Sequence, residues 1–253
     1  MSIRTVNTNG VAVIEIARPE KKNALTQAMY TAMAEAIAAA DADAAIRAVL
    51  VTGQPGIFTS GNDLEDFMQR PPAGEDSPVF QFMKALAACG KPVVAAVTGG
   101  AIGIGTTMLL HCDLVYVSDE ARLAMPFDGL GLVPEYASSL LVTQLVGHVK
   151  ATELLLLGEP FNGEAAVEMG IANAVLPAAE VVNHARRMAE RFNALPPGAV
   201  RESKALMRRA QKALVEETVR VEGEIFGKRL RSPEAMEAFQ AFFQKRKPDF
   251  SKF

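Results

Sequence analysis

The chain has 253 residues, 49% of them hydrophobic and 22% charged, the balance of an ordinary globular protein with length enough to bury a core without disulfides. A formal net charge of −3 excludes the broad basic field that holds nucleic acid or an anionic membrane, and no uninterrupted apolar run is long enough to span a bilayer. The two cysteines, Cys89 and Cys112, sit among apolar residues and read as small buried hydrophobes; without a CxxC pair or ligand-spaced histidines, no metal site is expected.

Residues 1–7 carry no apolar signal run, which predicts a cytoplasmic protein; the final Ser251-Lys252-Phe253 only approaches a peroxisomal signal. Asn9-Gly10 marks a hairpin turn into an alternating strand over 11–17. A charged loop over 18–23 follows. Thr26 is placed to cap a helix whose Met29, Met33 and Ile37 recur at four-residue spacing as one buried stripe. Short strands are predicted over 48–52, ended by Gly53, and near Ile57-Phe58. Residues 71–78 have the proline and glycine content of a mobile loop. A helix carrying Phe82, Met83 and Leu86 leads to Lys91-Pro92, which opens a strand over 93–97. The glycine-rich run 99–105 is read as a loop turning into a helix over 106–111. Strands follow over 114–117 and 122–125, and after Pro134 the pattern is mostly helical, with a hinge at Pro196-Pro197-Gly198.

Strands alternating with helices predict an α/β core, and a ββα rhythm recurs around 11–40, 48–88 and 93–111. Residues 1–197 are expected to form that core. Residues 198–253 are expected to form a helical C-terminal subdomain serving oligomerisation.

Strand-to-helix glycines first suggest a nucleotide site. Gly103-Ile104-Gly105 lacks the third glycine of a dinucleotide fingerprint, and neither a phosphate-loop lysine motif nor a G-x-S-x-G elbow occurs. Two loops, 58–64 and 99–105, still put glycines where backbone N–H groups can approach a ligand closely. Two convergent N–H groups would form an oxyanion hole for a thioester carbonyl on its way to an enolate. Taken singly, each loop also reads as a tight turn.

Several segments occur together in order: Arg18-Pro19 with Lys22-Asn23-Ala24-Leu25; Phe58-Thr59-Ser60-Gly61-Asn62-Asp63-Leu64; residues 91–99; Cys112-Asp113-Leu114; residues 154–158; and 165–172. In these the chain resembles the enoyl-CoA hydratase/isomerase (crotonase) family. The resemblance implies a crotonase-like spiral of ββα units and an enzyme acting on acyl-CoA thioesters. It implies no cofactor, since CoA arrives as part of the substrate, and a homotrimer or dimer of trimers. It assigns the oxyanion N–H groups to Asn62 and Ile104, and the CoA contacts to Lys22, Ala24, Ser60 and Asn62. Lys245 or Lys247, on the tail, would pair with a phosphate of a neighbouring subunit's CoA.

Hydratases of that family use two glutamates; Thr107 and Phe127 stand in their places here. The segment Pro126-Phe127, then Pro134-Glu135 and Ser138-Ser139, resembles instead the peroxisomal-type Δ3,Δ2-enoyl-CoA isomerases, whose single base corresponds to Glu135. One carboxylate can take a proton from C2 and return it at C4, because it is base and then acid. Phe127, Leu130 and Leu132 are expected to form an apolar acyl pocket that raises its pKa. Tyr136 and Ala137 replace smaller residues and are expected to reshape that pocket. Without the resemblance, Glu135 reads as a glutamate at a helix start. Asp128 is the second candidate acid, whereas Asp63, Asp113 and Glu120 read as structural. Two other functions stay open: an atypical enoyl-CoA hydratase, and a non-catalytic acyl-CoA-binding homologue.

Overall fold

Asn9 and Gly10 both take left-handed backbone conformations (φ 47° and 72°) and fold strand β1 (Ile3–Thr8) back onto β2 (Val11–Ile16) as an antiparallel hairpin. The computed structural model describes residues 2–71 and 74–253; the loop predicted over 71–78 includes Pro72 and Ala73, which lie outside the described residues. Helix α1 (Gln27–Ala42) completes the first ββα unit, capped as expected by the Thr26 hydroxyl, which accepts from the N–H of Met29 at 3.4 Å. The second unit is β3 (Ala48–Thr52), β4 (Gly56–Thr59), α2 (Leu64–Gln69) and α3 (Pro78–Ala88). The third is β5 (Val93–Val97), β6 (Gly99–Ile102) and α4 (Ile104–Thr107). The fourth is β7 (Leu114–Ser118), β8 (Arg122–Ala124) and α5 (Ser138–Leu155), the last broken at Gly147. Then come β9 (Phe161–Asn162), α6 (Gly163–Glu168), β10 (Ala174–Leu176), α7 (Val181–Glu190), α8 (Pro197–Arg209), α9 (Lys212–Arg229) and α10 (Pro233–Phe243).

From the second unit to the fourth, the first strand joins a large sheet and the second strand a small one. The large sheet runs β1-β2-β3-β5-β7-β10 and the small one β4-β6-β8-β9. Each unit therefore advances the chain one place along both sheets, which is the spiral expected from the sequence. The inner strands β2, β3, β5 and β7 of the large sheet are apolar at nearly every position because both faces are covered, whereas the edge strand β1 is polar and exposed. Val11, Val13, Ala48, Leu50, Val94 and Ala96 face α7, while Ala12, Ile14, Val49, Val51, Val93 and Ala95 face the main core.

Three readings of the sequence need correction. Residues 99–102 are not loop but strand β6, and α4 begins at Ile104, passing into a 3-10 turn over Met108–His111. A glycine is needed at 99 because a Cβ there would lie 2.1 Å from the carbonyl oxygen of Gly56. The segment Pro196-Pro197-Gly198 is a helix start rather than a hinge: Pro197 occupies the first turn of α8, where its missing N–H costs nothing. And β9 and β10, only 2 and 3 residues long, interrupt the run after Pro134 that read as helical.

The C-terminal helices dock through charge and apolar packing. Lys204 of α8 is buried and donates at 2.6 Å to both Asp113 and the carbonyl of Lys91; Arg208 reaches Asp113 at 3.0 Å and the carbonyl of His111 at 2.7 Å. Phe226, Leu230, Ala235 and Phe239 join the same apolar cluster as Phe67, Met83 and Tyr136. Asp113→Ala leaves Lys204 without its carboxylate. The expected loss is about 3 kcal/mol of stability in urea denaturation, the cost typical of an uncompensated buried charge; a loss under about 1 kcal/mol, the range of exposed pairs, would show the contact to be incidental.

Candidate active site

Two loops are fixed by one side-chain network. Lys22 and Asn23 are both left-handed (φ 50° and 55°), a conformation unfavourable for such residues unless held. Asn23 holds it: its Oδ1 accepts from the N–H of Arg18 at 2.7 Å, and its Nδ2 donates to the carbonyls of Ile16 and Phe58, each at 3.0 Å. Thr59 donates to the carbonyl of Asn23 at 2.7 Å and accepts from the N–H of Gly61 at 3.1 Å. The Arg18 guanidinium donates to the carbonyl of Ala24 at 2.8 Å and to Asp63 at 2.6 Å. Burial works to raise the Asp63 carboxyl, but Arg18 and the N–H groups of α2 outweigh it and hold it below its usual value. Asp63 also caps α2, so its role is structural. The N–H of Ser60 donates to the carbonyl of Lys22 at 3.1 Å, bringing Lys22, Ala24, Ser60 and Asn62 onto adjoining loops.

The two expected oxyanion donors are brought together by sheet register. In the parallel β4–β6 pair Thr59 stands opposite Ala101, and three residues further along each strand come Asn62 and Ile104. The loops touch: a Cβ on Gly61 would lie 2.9 Å from the carbonyl oxygen of Ile102, and one on Gly105 would lie 2.6 Å from Thr59. Leu25 and Asn62 form a parallel bridge bonded through Gly61 and Asp63, so the N–H of Asn62 points away from it. Ile104 opens α4, where helix geometry supplies no acceptor. Among the described residues no group accepts from either N–H. The phenol of Tyr30, wholly buried, donates to Asn62 Oδ1. Burial, and then the charge of Glu135, raise the Tyr30 pKa, so it remains a neutral donor within electrostatic reach of Glu135.

Glu135 is 5% exposed, and its Oε1 has no hydrogen-bond partner. Burial, followed by the nearby charge of Glu222, pushes its pKa from 4.5 to about 8. The next two residues, Tyr136 and Ala137, are left-handed (φ 61° and 57°), and three residues hold them there. Glu222 of α9 accepts from the N–H groups of Ala137 at 2.6 Å and Ser139 at 2.9 Å. The Tyr136 hydroxyl donates to the carbonyl of Met83 at 2.7 Å. Its ring stacks 3.7 Å from that of His111, whose Nε2 donates to the Tyr136 carbonyl at 2.8 Å. Burial keeps His111 neutral, with a pKa lowered to about 4.

Glu135 lines a cavity of about 30 Å³, with Phe67 of α2 and Met83 of α3 on one side and Val219 and Phe226 of α9 on the other. Phe127, Leu130 and Leu132, expected around Glu135, do not line this cavity. Phe127 packs instead beside the oxyanion loop, where a Cβ on Gly103 would lie 3.7 Å from its ring, and the N–H groups of Leu130 and Leu132 both donate to its carbonyl. Thr107 is buried with an unpartnered hydroxyl. Asp128 is half-buried, and burial raises its pKa against the charge of Arg229. Lys245 and Lys247 are exposed on the tail, which folds onto α10 through Arg246 and Glu237; neither lysine bonds to the loops around Lys22 and Ser60. Sequence reasoning missed Glu222. Its signal was position: it lies three residues after Val219 and four before Phe226, on the apolar face of α9, whereas Glu216, Glu217 and Glu224 are exposed.

A family model described as enoyl-CoA hydratase/isomerase matches residues 6–252. The chain is 29% identical over 246 residues to a probable enoyl-CoA hydratase of Bacillus subtilis, covering 95% of each. It is 34% identical over 211 residues to the human enoyl-CoA delta isomerase 2, covering 81% of this chain and 53% of that longer protein. The solved structure of Pseudomonas aeruginosa OdaA is 53% identical with a TM-score of 0.94, covering 95% of this chain and 98% of that one. The fold class expected from the sequence is the one these relatives share.

The buried carboxyl has a consequence for stability. Between pH 4.5 and about 8 the folded chain retains a Glu135 proton that the unfolded chain releases. The contribution of this group is therefore full below the unfolded value and is lost as pH rises toward the folded one. Glu135→Gln is expected to gain stability relative to the parent by about 1.4 kcal/mol per pH unit across that window, with no further gain above it. Denaturant titrations from about pH 5 to 9 check this; a pH-independent difference would show Glu135 to be ionised throughout.

Proposed function

The chain belongs to the enoyl-CoA hydratase/isomerase family of enzymes, and on that footing we propose that it converts 3-enoyl-CoA thioesters into their 2-enoyl isomers with Glu135 as its one acid and base. The observation that carries this reading is the buried Glu135 carboxyl, unpartnered at Oε1, with a pKa of about 8, while Thr107 and Phe127 stand in the places of the two glutamates that the family's hydratases use.

In the proposed reaction the CoA lies along Lys22, Ala24, Ser60 and Asn62. The thioester oxygen accepts from the N–H groups of Asn62 and Ile104. Ionised Glu135 takes a proton from C2; the C2–H electron pair moves into the thioester and is held as a dienolate against the two N–H groups. The protonated acid then delivers the same proton to C4, leaving the double bond between C2 and C3. A pKa near neutrality suits a group that must act in both forms within one turnover. Glu222 keeps the base in place through the N–H groups of Ala137 and Ser139. Residues 198–253 serve oligomerisation, as a homotrimer or dimer of trimers, and Lys245 or Lys247 reaches a neighbouring copy's CoA phosphate. The likeness to the human isomerase favours this reading, and the likeness to the Bacillus hydratase favours the second one, hydration, for which Asp128 is the remaining carboxyl.

The test is incubation with 3-hexenoyl-CoA and, separately, crotonyl-CoA, followed by mass and conjugated-enoyl absorbance. The expected outcome is isomerisation of the first without change of mass, with kcat/KM in Glu135→Gln lower by about 10²–10⁴. Gain of water by crotonyl-CoA, undiminished in Glu135→Gln, would overturn it. Activity should rise with pH and level off above about 8 as Glu135 ionises. In Glu222→Gln the rising limb should move to lower pH, because the neighbouring charge that raises the Glu135 pKa is gone.

A further inference from the structure

Glycine is a poor residue for a helix interior, yet α9 carries Gly223 and Gly227 one turn apart, both with ordinary negative φ, so backbone conformation demands neither. Both line the cavity that Glu135 lines. At Gly223 a Cβ would lie 2.1 Å from Cζ of Phe80, so the ring occupies the space a side chain would fill. At Gly227 a Cβ would meet nothing within 4 Å: the helix leaves that space open. The cavity between these helices also holds the one feature that points to a ligand, the unpartnered and buried Oε1 of Glu135.

We infer that the cavity between α3 and α9 receives the acyl chain beyond the reacting carbons, and that Phe80, seated on Gly223, sets the chain length it takes. The inference rests on the proposed role of Glu135, because a base that meets C2 and C4 must lie beside the carbons that follow. The cavity is small, about 30 Å³, so a chain of several methylenes fits only where a wall gives way. Phe67, Val79 and Met83 are buried on all sides. Phe80 is half-buried, lies on α3 and rests on a glycine, so its ring closes the cavity on its solvent side. The unmodified protein is therefore a short-chain enzyme, with Phe80 as the end wall and the glycines of α9 as the floor.

The experiment is a calorimetric titration of the full chain with saturated acyl-CoA esters from acetyl to decanoyl, which cannot isomerise and so report binding apart from turnover. In the parent, affinity should stop rising beyond a short chain. In Phe80→Ala it should keep rising, by about fourfold for each further buried methylene. Gly227→Leu, which replaces a helix-disfavoured residue and fills the open side, should weaken hexanoyl-CoA binding at least tenfold while leaving acetyl-CoA unchanged. Should Phe80→Ala prove unfolded in thermal scans, Gly227→Leu decides alone. Chain-length profiles parallel to the parent's within twofold would overturn the inference. Shifted profiles in a protein that isomerises no 3-enoyl ester would support it and sink the isomerase reading instead.

Discussion

One constraint organises this molecule: a carboxyl group must be kept out of water with one oxygen unpaired. A buried polar atom without a partner is costly, and a buried charge more so. Glu135 meets that cost by holding its proton near neutral pH, its pKa raised to about 8. Its neighbour Glu222 meets it differently. It is buried too, but two backbone N–H groups satisfy its oxygens. The two glutamates divide: the oxygens of Glu222 are satisfied by hydrogen bonds that shape the chain, and Oε1 of Glu135 is left unpartnered.

The position of the free one depends on distant parts of the sequence. Tyr136 and Ala137 would not take left-handed conformations unaided, at a cost of order 1–2 kcal/mol each. They are held by Glu222 from α9, by Met83 from α3 and by His111 at the end of the third unit. Arg208 in turn holds His111 and Asp113, so α8 clamps the segment against which Tyr136 stacks. The last helices of the chain thus complete the environment of a residue near its middle. The oxyanion loops depend on none of this. They are set by register between β4 and β6 and by Asn23 and Thr59, all within the first three units.

That difference explains what was legible in the sequence. The hairpin at Asn9-Gly10, the stripe Met29–Met33–Ile37 and the strand after Lys91-Pro92 are local patterns, and the local pattern decided each. Strand β6 was read as loop because Gly99 and Gly100 carry no strand propensity; close approach to Gly56 imposes the first, and only the paired sheet reveals that. Glu135 was legible through motif resemblance alone, since by its own residues it read as a helix start. Its walls were not. Phe127, Leu130 and Leu132 are near it in sequence, but the apolar surfaces that line its cavity come from α2, α3 and α9, and no local pattern carries that information.

The two halves of the site also differ in kind. Backbone N–H groups cannot be removed by changing a side chain, and the loops that aim them are held by sheet register and by the side chains of Arg18, Asn23 and Thr59. That half is preorganised by the fold. The half built around Glu135 is assembled from side chains on separate helices, with a small cavity and a half-buried ring at its edge. In this chain Thr107 and Phe127 stand in place of acids, and the carboxyl of Glu135 is set in its cavity by α9 through Glu222.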